Sequence, residues 1–360
     1  MMITAQHSEK IADACEFGHH FLYERQLPSG EFTSYRSRHP EMLDDCVFDS
    51  SPFPTALISY SLSFFSSEKA KEMLQKSCRF LLNEMESCGT WRYWTAQHEH
   101  HKHIPPDIDD IVCASMVLQQ NGFSFPDNKE LVLANRNRQQ LLLTWIVPRF
   151  QFPLCLNYWR VVLPQCLNPV VLYIFWKMNE SEPDDIDGVV NANALCYLGE
   201  NEATQKIIQY LCSVINDGKE DSCDKWHLSR FNFYYSLSRC AYKKINGFEN
   251  IRDLVLQRIA ERANDDGTIG SHILDTALAI CTMLNLGHSS PVLERAVEAV
   301  LKEQGSDGAW PRMPLYYGGP KKYFGWGSEE LTTGFCLEAL MRYAGPPLCQ
   351  HEVRRIWLRV

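Results

Sequence analysis

The chain lacks several features that would place it early. No uninterrupted apolar run reaches the roughly 18 residues that a membrane-spanning helix needs. The nearest candidate, residues 161–176, is broken by Pro164, Gln165, Asn168 and Pro169. The opening stretch Met-Met-Ile-Thr-Ala-Gln-His-Ser-Glu-Lys holds no apolar signal core, which points to a cytoplasmic protein. No block of Lys or Arg stands out against a net charge of −9, and this excludes nucleic acid as an expected partner. Sustained alternation of period two is also missing, so strands are not expected to carry the fold.

What is present favours a large core. Apolar residues make up 45% and charged residues 22% of the 360 positions. Aromatics reach 12%, which leaves rings available to line a cavity. The 14 Cys would suit a disulfide scaffold in a secreted protein, but Cys113, Cys196, Cys240, Cys281 and Cys336 fall inside apolar, helix-like runs. There they read as small buried side chains in a reducing compartment. The stretch 145–176 is rich in Pro, Leu and aromatics. It reads as a buried helical pair, with an oily surface at a lipid entrance as the alternative.

Internal repetition decides the architecture. One class of segment is amphipathic: Ile251, Leu254, Val255 and Ile259 recur at helical spacing, as do Val292, Leu293, Ala296, Val297, Val300 and Leu301. A second class is apolar nearly all round and rich in small residues, as in Ile111-Val-Cys-Ala-Ser-Met-Val-Leu118 and Thr276-Ala-Leu-Ala-Ile-Cys-Thr-Met-Leu284. Such helices are buried on several sides. Six of them are expected, near residues 53–65, 108–120, 186–199, 228–242, 273–286 and 329–343. Each follows an amphipathic candidate and a Gly-containing turn, with the pairing around 130–185 the least clear. The expected fold is all-α: one domain over residues 1–360, an (α/α)6 double ring of six outer and six inner helices.

The turns repeat as well. Gln304-Gly-Ser-Asp307-Gly308-Ala-Trp310 is the fullest copy, Gln26-Leu-Pro-Ser-Gly30-Glu-Phe32 echoes it, and Cys88-Gly89-Thr90-Trp91 and Asp265-Asp266-Gly267-Thr268-Ile269 are partial copies. Gly permits the chain reversal, the ring packs over the turn, and the polar side chains satisfy free helix-end groups.

The Gln-x-x-Asp-Gly-x-Trp pattern at 304–310 resembles the QW repeat of squalene-hopene and related terpene cyclases, and Asp107-Ile-Asp109-Asp110 resembles the DxDD motif of class II terpene cyclases. With six helix pairs, the resemblance spans nearly the whole chain. Most of that superfamily carries two or three helical domains and this chain has room for one. It is therefore similar to the single-domain cyclases of cyanobacterial meroterpenoid pathways. That resemblance implies an enzyme acting on a prenylated aromatic acid, such as a geranylgeranyl dihydroxybenzoic acid. It also implies no cofactor and no metal and a lipophilic small molecule as partner, whose uptake the oily stretch 145–176 could serve by peripheral membrane contact. A prenyl diphosphate is the alternative substrate.

The resemblance assigns Asp109 the proton that opens the reaction. Pro105 and Pro106 stop the chain just before a helix, so three carboxylates crowd its start. One reading is that they cap the helix, which suits Asp107 or Asp110 alone. For the trio a catalytic role is favoured, because the buried helix aims the cluster into the ring. Desolvation and mutual repulsion should keep a proton in the cluster, which titrates as a unit. Protonation of a terminal alkene creates a tertiary cation, and aromatic faces stabilise such a cation by about 0.5–2 kcal/mol each. Tyr60, Trp94, Trp226, Phe233, Tyr234, Tyr317, Phe324 and Trp326 are candidates for lining, with core packing equally expected of any one of them. Asn191 and Asn193 need buried partners, across the ring or on a substrate.

Other signals compete. Asp184-Asp185-Ile-Asp187 has the look of a Mg²⁺ motif, but it stands before an inner helix as Asp107–Asp110 does and reads as an equivalent helix start. His98-Glu-His100-His101-Lys-His103 reads as a solvated loop, and alternatively supplies a His for an aryl carboxylate. Asp221-Ser-Cys223 with His272 or His288 could mimic the zinc site of a protein prenyltransferase β subunit. A non-enzymatic α/α-ring binding module is the remaining class, and it would have a filled centre.

Overall fold

Helices that are apolar all round cannot face water and must pack on one another. The computed structural model describes residues 5–39, 41–43, 46–149, 155–167 and 169–345. Its elements are α1 (Ala5–Arg25), β1 (Tyr35–Ser37), β2 (Val47–Phe48), α2 (Pro52–Leu62), α3 (Glu68–Asn83), α4 (Ile108–Gln120), α5 (Lys129–Ala134), α6 (Leu156–Val162), α7 (Pro169–Asn179), α8 (Gly188–Leu198), α9 (Gln205–Asn216), α10 (Arg230–Tyr242), α11 (Glu249–Ala260), α12 (Ile273–Asn285), α13 (Pro291–Lys302), β3 (Met313–Gly318), β4 (Phe324–Ser328) and α14 (Glu329–Ala344). Helices α2, α4, α8, α10, α12 and α14 occupy the six stretches expected to be buried. Each packs on the next, and α14 returns to α2. Amphipathic helices cover this cycle: α3 lies on α2 and α4, α9 on α8, α13 on α12 and α14, and α1 on α14. Cys113, Cys196, Cys240, Cys281 and Cys336 are free thiols in the buried helices.

The inner helices begin at defined caps. Side chains of Ser51, Asp107, Ser229, His272 and Ser328 each accept a hydrogen bond from a backbone N–H of the first helical turn. The repeated turns tie the outer helices together. The Gln304 amide, at the end of α13, donates to Ala14 O of α1, and the Gln26 amide, at the end of α1, donates to Met73 O of α3. The indoles reach back: Trp310 Nε1 donates to Val300 O and Trp91 Nε1 to Leu81 O, both at 2.7 Å. The glycine is required at the crossing. Gly308 has φ +91°, and a Cβ there would stand 2.6 Å from Phe17 O.

Two expectations need correction. The fold is mostly helical but not all-α, because a four-stranded antiparallel sheet of order β2-β1-β4-β3 is present. Its strands are two to six residues long, too short to show a period of two. At Gly327 a side chain could not fit, since its Cβ would fall 1.9 Å from Met313 O. The second correction concerns α6 and α7. They are not a buried pair: Leu156 of α6, Leu163 and Leu167 in the 3-10 turn Leu163–Leu167 that follows it, and Val170, Tyr173 and Met178 of α7 are all more than half exposed. Part of that stretch, residues 150–154 and 168, lies outside the described residues.

Candidate active site

The N-terminal ends of α2, α4 and α8, the loop before α10, the strands β3 and β4 and part of α7 face a cavity. It encloses about 660 Å³ not filled by protein atoms, its open mouth included, of which about 90 Å³ is open to the centre of a water-sized sphere. Asp107, Asp109 and Asp110 are on its wall with Phe53, Tyr93, Trp94, Ile104, Thr144, Trp145, Phe175, Asn179, Val190, Trp226, His227, Tyr316 and Trp326. The rings interlock edge to face, as for Phe53 on Tyr316 (5.6 Å) and Trp145 on Trp226 (5.5 Å), while Tyr316 stacks on Trp326 at 6.1 Å. Below the cavity the ring is filled. Arg239, 1% exposed, lies on the Tyr60 ring at 4.0 Å, and Glu338 accepts from Ser61, Tyr235 and Arg342.

The three aspartates are buried together and differ in their partners. Asp107 is the cap of α4, and its Oδ1 accepts the Asp110 N–H at 2.8 Å. Burial pushes its carboxyl up to about 7, with the Asp109 charge adding to the shift. Asp110 is raised well above the ordinary range by burial and by Asp107, and its Oδ2 has no partner among the described residues. Asp109 is also raised by burial, but less freely. The His227 charge and a hydrogen bond from Asn193 Nδ2 to Oδ1, 2.8 Å, both pull it down. The Asn193 oxygen faces Arg239 Nη1 at 3.4 Å, and this fixes which way its amide points. Burial pulls His227 down, but Asp224, 3.4 Å away, and Asp109 outweigh it and raise the imidazole above its ordinary value. Asp224 in turn accepts the N–H groups of Val189, Trp226 and His227.

Asp49 is a buried carboxylate behind the aromatic wall. It accepts Trp94 Nε1 at 3.2 Å, Trp326 Nε1 at 2.5 Å and His98 Nε2 at 3.0 Å. It therefore fixes two lining indoles at once, while His98 stacks on Trp94 with ring centroids 5.2 Å apart.

The site gathers some of the residues singled out in the sequence and leaves others elsewhere. Trp94, Trp226 and Trp326 are on the wall, and Asn193 reaches Asp109 from behind it. Asn191 binds the backbone of Leu142, accepting its N–H and donating to its carbonyl. Tyr60 lies under Arg239 below the cavity. Phe233 packs against Gly188, and Tyr234 donates to Glu220. Phe324 lies under the guanidinium groups of Arg36 and Arg38. Tyr317 pairs with Gly325 in the sheet, one residue out of step with Tyr316. None of these six contributes to the wall. Tyr93, Trp145, Phe175, His227, Tyr316 and Asp49 escaped the sequence reading. Tyr316 follows from strand pairing, and the remainder sit in loops or in α7.

The competing motifs resolve locally. Asp187 stands at the cap position of α8 as Asp107 does on α4, and it accepts the Thr144 hydroxyl at 2.6 Å. His101 pairs with Glu86 at 2.9 Å. Asp221 is taken by Arg230, and His272 caps α12. Among the described residues, no group of three or more His, Cys, Asp or Glu is placed to hold a metal ion.

The fold is that of the type II terpene cyclases. Solved structures that share it include MstE from Scytonema without ligand, at 14% identity and TM-score 0.67, with 94% of this chain and 99% of that one covered. A variant of MstE in complex with merosterolic acid A, its product, gives 13% identity and TM-score 0.68 over 95% of this chain and 98% of that one. Another variant is in complex with its substrate, geranylgeranyl dihydroxybenzoate, at 14% identity and TM-score 0.66, over 95% of this chain and 99% of that one. An ent-copalyl diphosphate synthase from Streptomyces platensis is similar at 18% identity and TM-score 0.52, over 81% of this chain and 50% of that one. No family model and no curated protein matches the sequence.

Proposed function

We propose that the chain is a single-domain (α/α)6 enzyme, a class II meroterpenoid cyclase that protonates the terminal alkene of a prenylated aromatic acid. The observation that carries this reading is Asp109. It is a buried carboxylic acid on the wall of an aromatic cavity, with a hydrogen-bond donor on one of its two oxygens. The other oxygen carries the transferable proton. The alkene π pair takes that proton, Asp109 is left as a carboxylate, and a tertiary cation forms. Asn193 stabilises the carboxylate, as does His227 when protonated. Later alkenes attack the cation in turn, and each ring closure moves the charge along the chain until a proton leaves. The wall offers aromatic faces and few lone pairs, so it attracts the cation without quenching it. Asp107 and Asp110, both raised by burial, keep negative charge low around the acid before transfer. Geranylgeranyl dihydroxybenzoate, the substrate of MstE, is the substrate of choice for testing.

The exposed apolar face of α6 and α7 supports peripheral contact with a lipid surface. Phe175 and Asn179 of α7 are on the cavity wall, so that face adjoins the route by which a lipophilic substrate enters. Among the described residues no single helix is long and apolar enough to cross a membrane.

The central test compares wild-type protein and Asp109→Asn with geranylgeranyl dihydroxybenzoate, with products resolved by mass and NMR. The variant is expected to keep the wild-type circular dichroism spectrum and to give no cyclised product. Cyclisation at the wild-type rate by the variant would overturn the mechanism.

A further inference from the structure

Away from α4 the cavity wall includes Phe175 and Asn179 of α7, and behind it Asn179 accepts the Gly319 N–H of the turn 319–322 at 3.0 Å. That turn is held in an uncommon shape. Gly319, Lys321 and Lys322 have φ of +73°, +55° and +53°, the left-handed region that non-glycine residues rarely adopt. Such local strain concentrates at ligand sites. Lys322 is turned onto Trp226, with Nζ 4.0 Å from the ring centroid.

The Lys322 ammonium is shut off from water and has no hydrogen-bond partner among the described residues. The acids nearby are engaged with other groups. Asp185 pairs with Lys225, Asp187 accepts the Thr144 hydroxyl and the Lys225 N–H, and Asp224 accepts three backbone N–H groups. The indole N–H groups of Trp145 and Trp226 are equally buried and without an acceptor among the described residues. Trp94 and Trp326, on the same wall, both have Asp49. Buried donors are nearly always paired. Here an ammonium and two N–H groups gather around one pair of touching rings, and no described residue supplies them an acceptor.

We propose that Lys322, Trp145 and Trp226 form the head-group site of this cavity, and that the group they take is the carboxylate of an aryl acid. The proposal rests on the cyclase reading for the prenyl chain and adds what holds its polar end. An arene suits the indole faces, and a carboxylate supplies acceptors and the single charge that one ammonium balances. A diphosphate would bring more negative charge beside Asp185, Asp187 and Asp224, and the described residues place no group to hold a bridging metal ion.

The test is a binding titration that needs no turnover. Quenching of tryptophan fluorescence is followed for geranylgeranyl dihydroxybenzoate, its methyl ester, and geranylgeranyl diphosphate with and without Mg²⁺. The proteins are wild type, Lys322→Met and Lys322→Arg. Wild type is expected to bind the acid at least tenfold tighter than the ester, Lys322→Met to bind the two alike, and Lys322→Arg to retain the preference. Equal binding of acid and ester by wild type, a preference that survives in Lys322→Met, or tight Mg²⁺-dependent binding of the diphosphate would overturn it. Failure of the cyclase reading has a different signature: acid-selective binding without product.

Discussion

At the scale of single residues, Asn193 of α8 donates to Asp109 of α4 at 2.8 Å, and Arg239 of α10 stands behind the Asn193 oxygen. A run of carboxylates before a buried helix marks Asp109, because few core positions accept a charge. Nothing local connects it to Asn193, 84 positions later, or to Arg239 beyond that. Only the ring brings α4, α8 and α10 side by side. His227 carried a faint signal, three residues after Asp224, and Asp49 carried none. The relay gives a specific expectation. Asn193 stabilises the ionised form of Asp109, so Asn193→Ala should leave a weaker acid. A hydrogen bond to a charged group is worth about 1.5–3 kcal/mol, so kcat should fall roughly 10–100-fold with KM little changed. The high-pH limb of the kcat profile should move upward, because a weaker acid holds its proton longer. Arg239→Lys should shift the limb the same way by less. Pre-steady-state and pH-rate measurements on the two variants decide this; an unmoved limb would show that Asn193 only fills space.

At the scale of elements, helices and turns could be read because their signals are local. A helix buried all round needs one composition, and a glycine beneath a neighbouring helix needs one residue type, so both leave a mark in sequence. The sheet left none, and the error spread from it. With β3 and β4 unrecognised, Tyr317 and Tyr316 could not be told apart, although strand geometry turns successive residues to opposite faces. Helices α6 and α7 failed for another reason. Apolar composition is the same whether a helix is buried in protein or meets lipid, and only the placement of Leu163 and Leu167, 56% and 80% exposed, separates the two. If this face meets a lipid surface, the double variant Leu163→Glu, Leu167→Glu should lose most of its binding to liposomes, several-fold or more, in a co-sedimentation assay. Catalysis on detergent-solubilised substrate should persist. Unchanged sedimentation would remove the membrane contact and leave the cavity chemistry intact.

At the scale of the whole molecule, the cavity is built at the expense of stability, and the cost depends on pH. Burial raises Asp107 to about 7, Asp187 to about 8 and Glu31 to about 7, and it raises Asp110 further than its ordinary range allows. Each of these acids binds its proton more tightly folded than unfolded. Below the ordinary carboxylate range both states are protonated and nothing is lost. As pH rises through that range the unfolded chain ionises first, so folding stability falls progressively towards pH 7–8. Asp224 works in the opposite sense, since burial is outweighed by His227 and by its N–H donors. Asp110 is the most direct probe, because its Oδ2 has no partner among the described residues and an amide carries no such penalty. Asp110→Asn should raise Tm at pH 8 by roughly 2–6 °C and leave it nearly unchanged at pH 4. Differential scanning calorimetry at the two pH values checks both halves. An equal gain at both would assign the effect to packing, whereas a gain confined to high pH would show that the fold gives up stability to keep protonated acids beside its cavity.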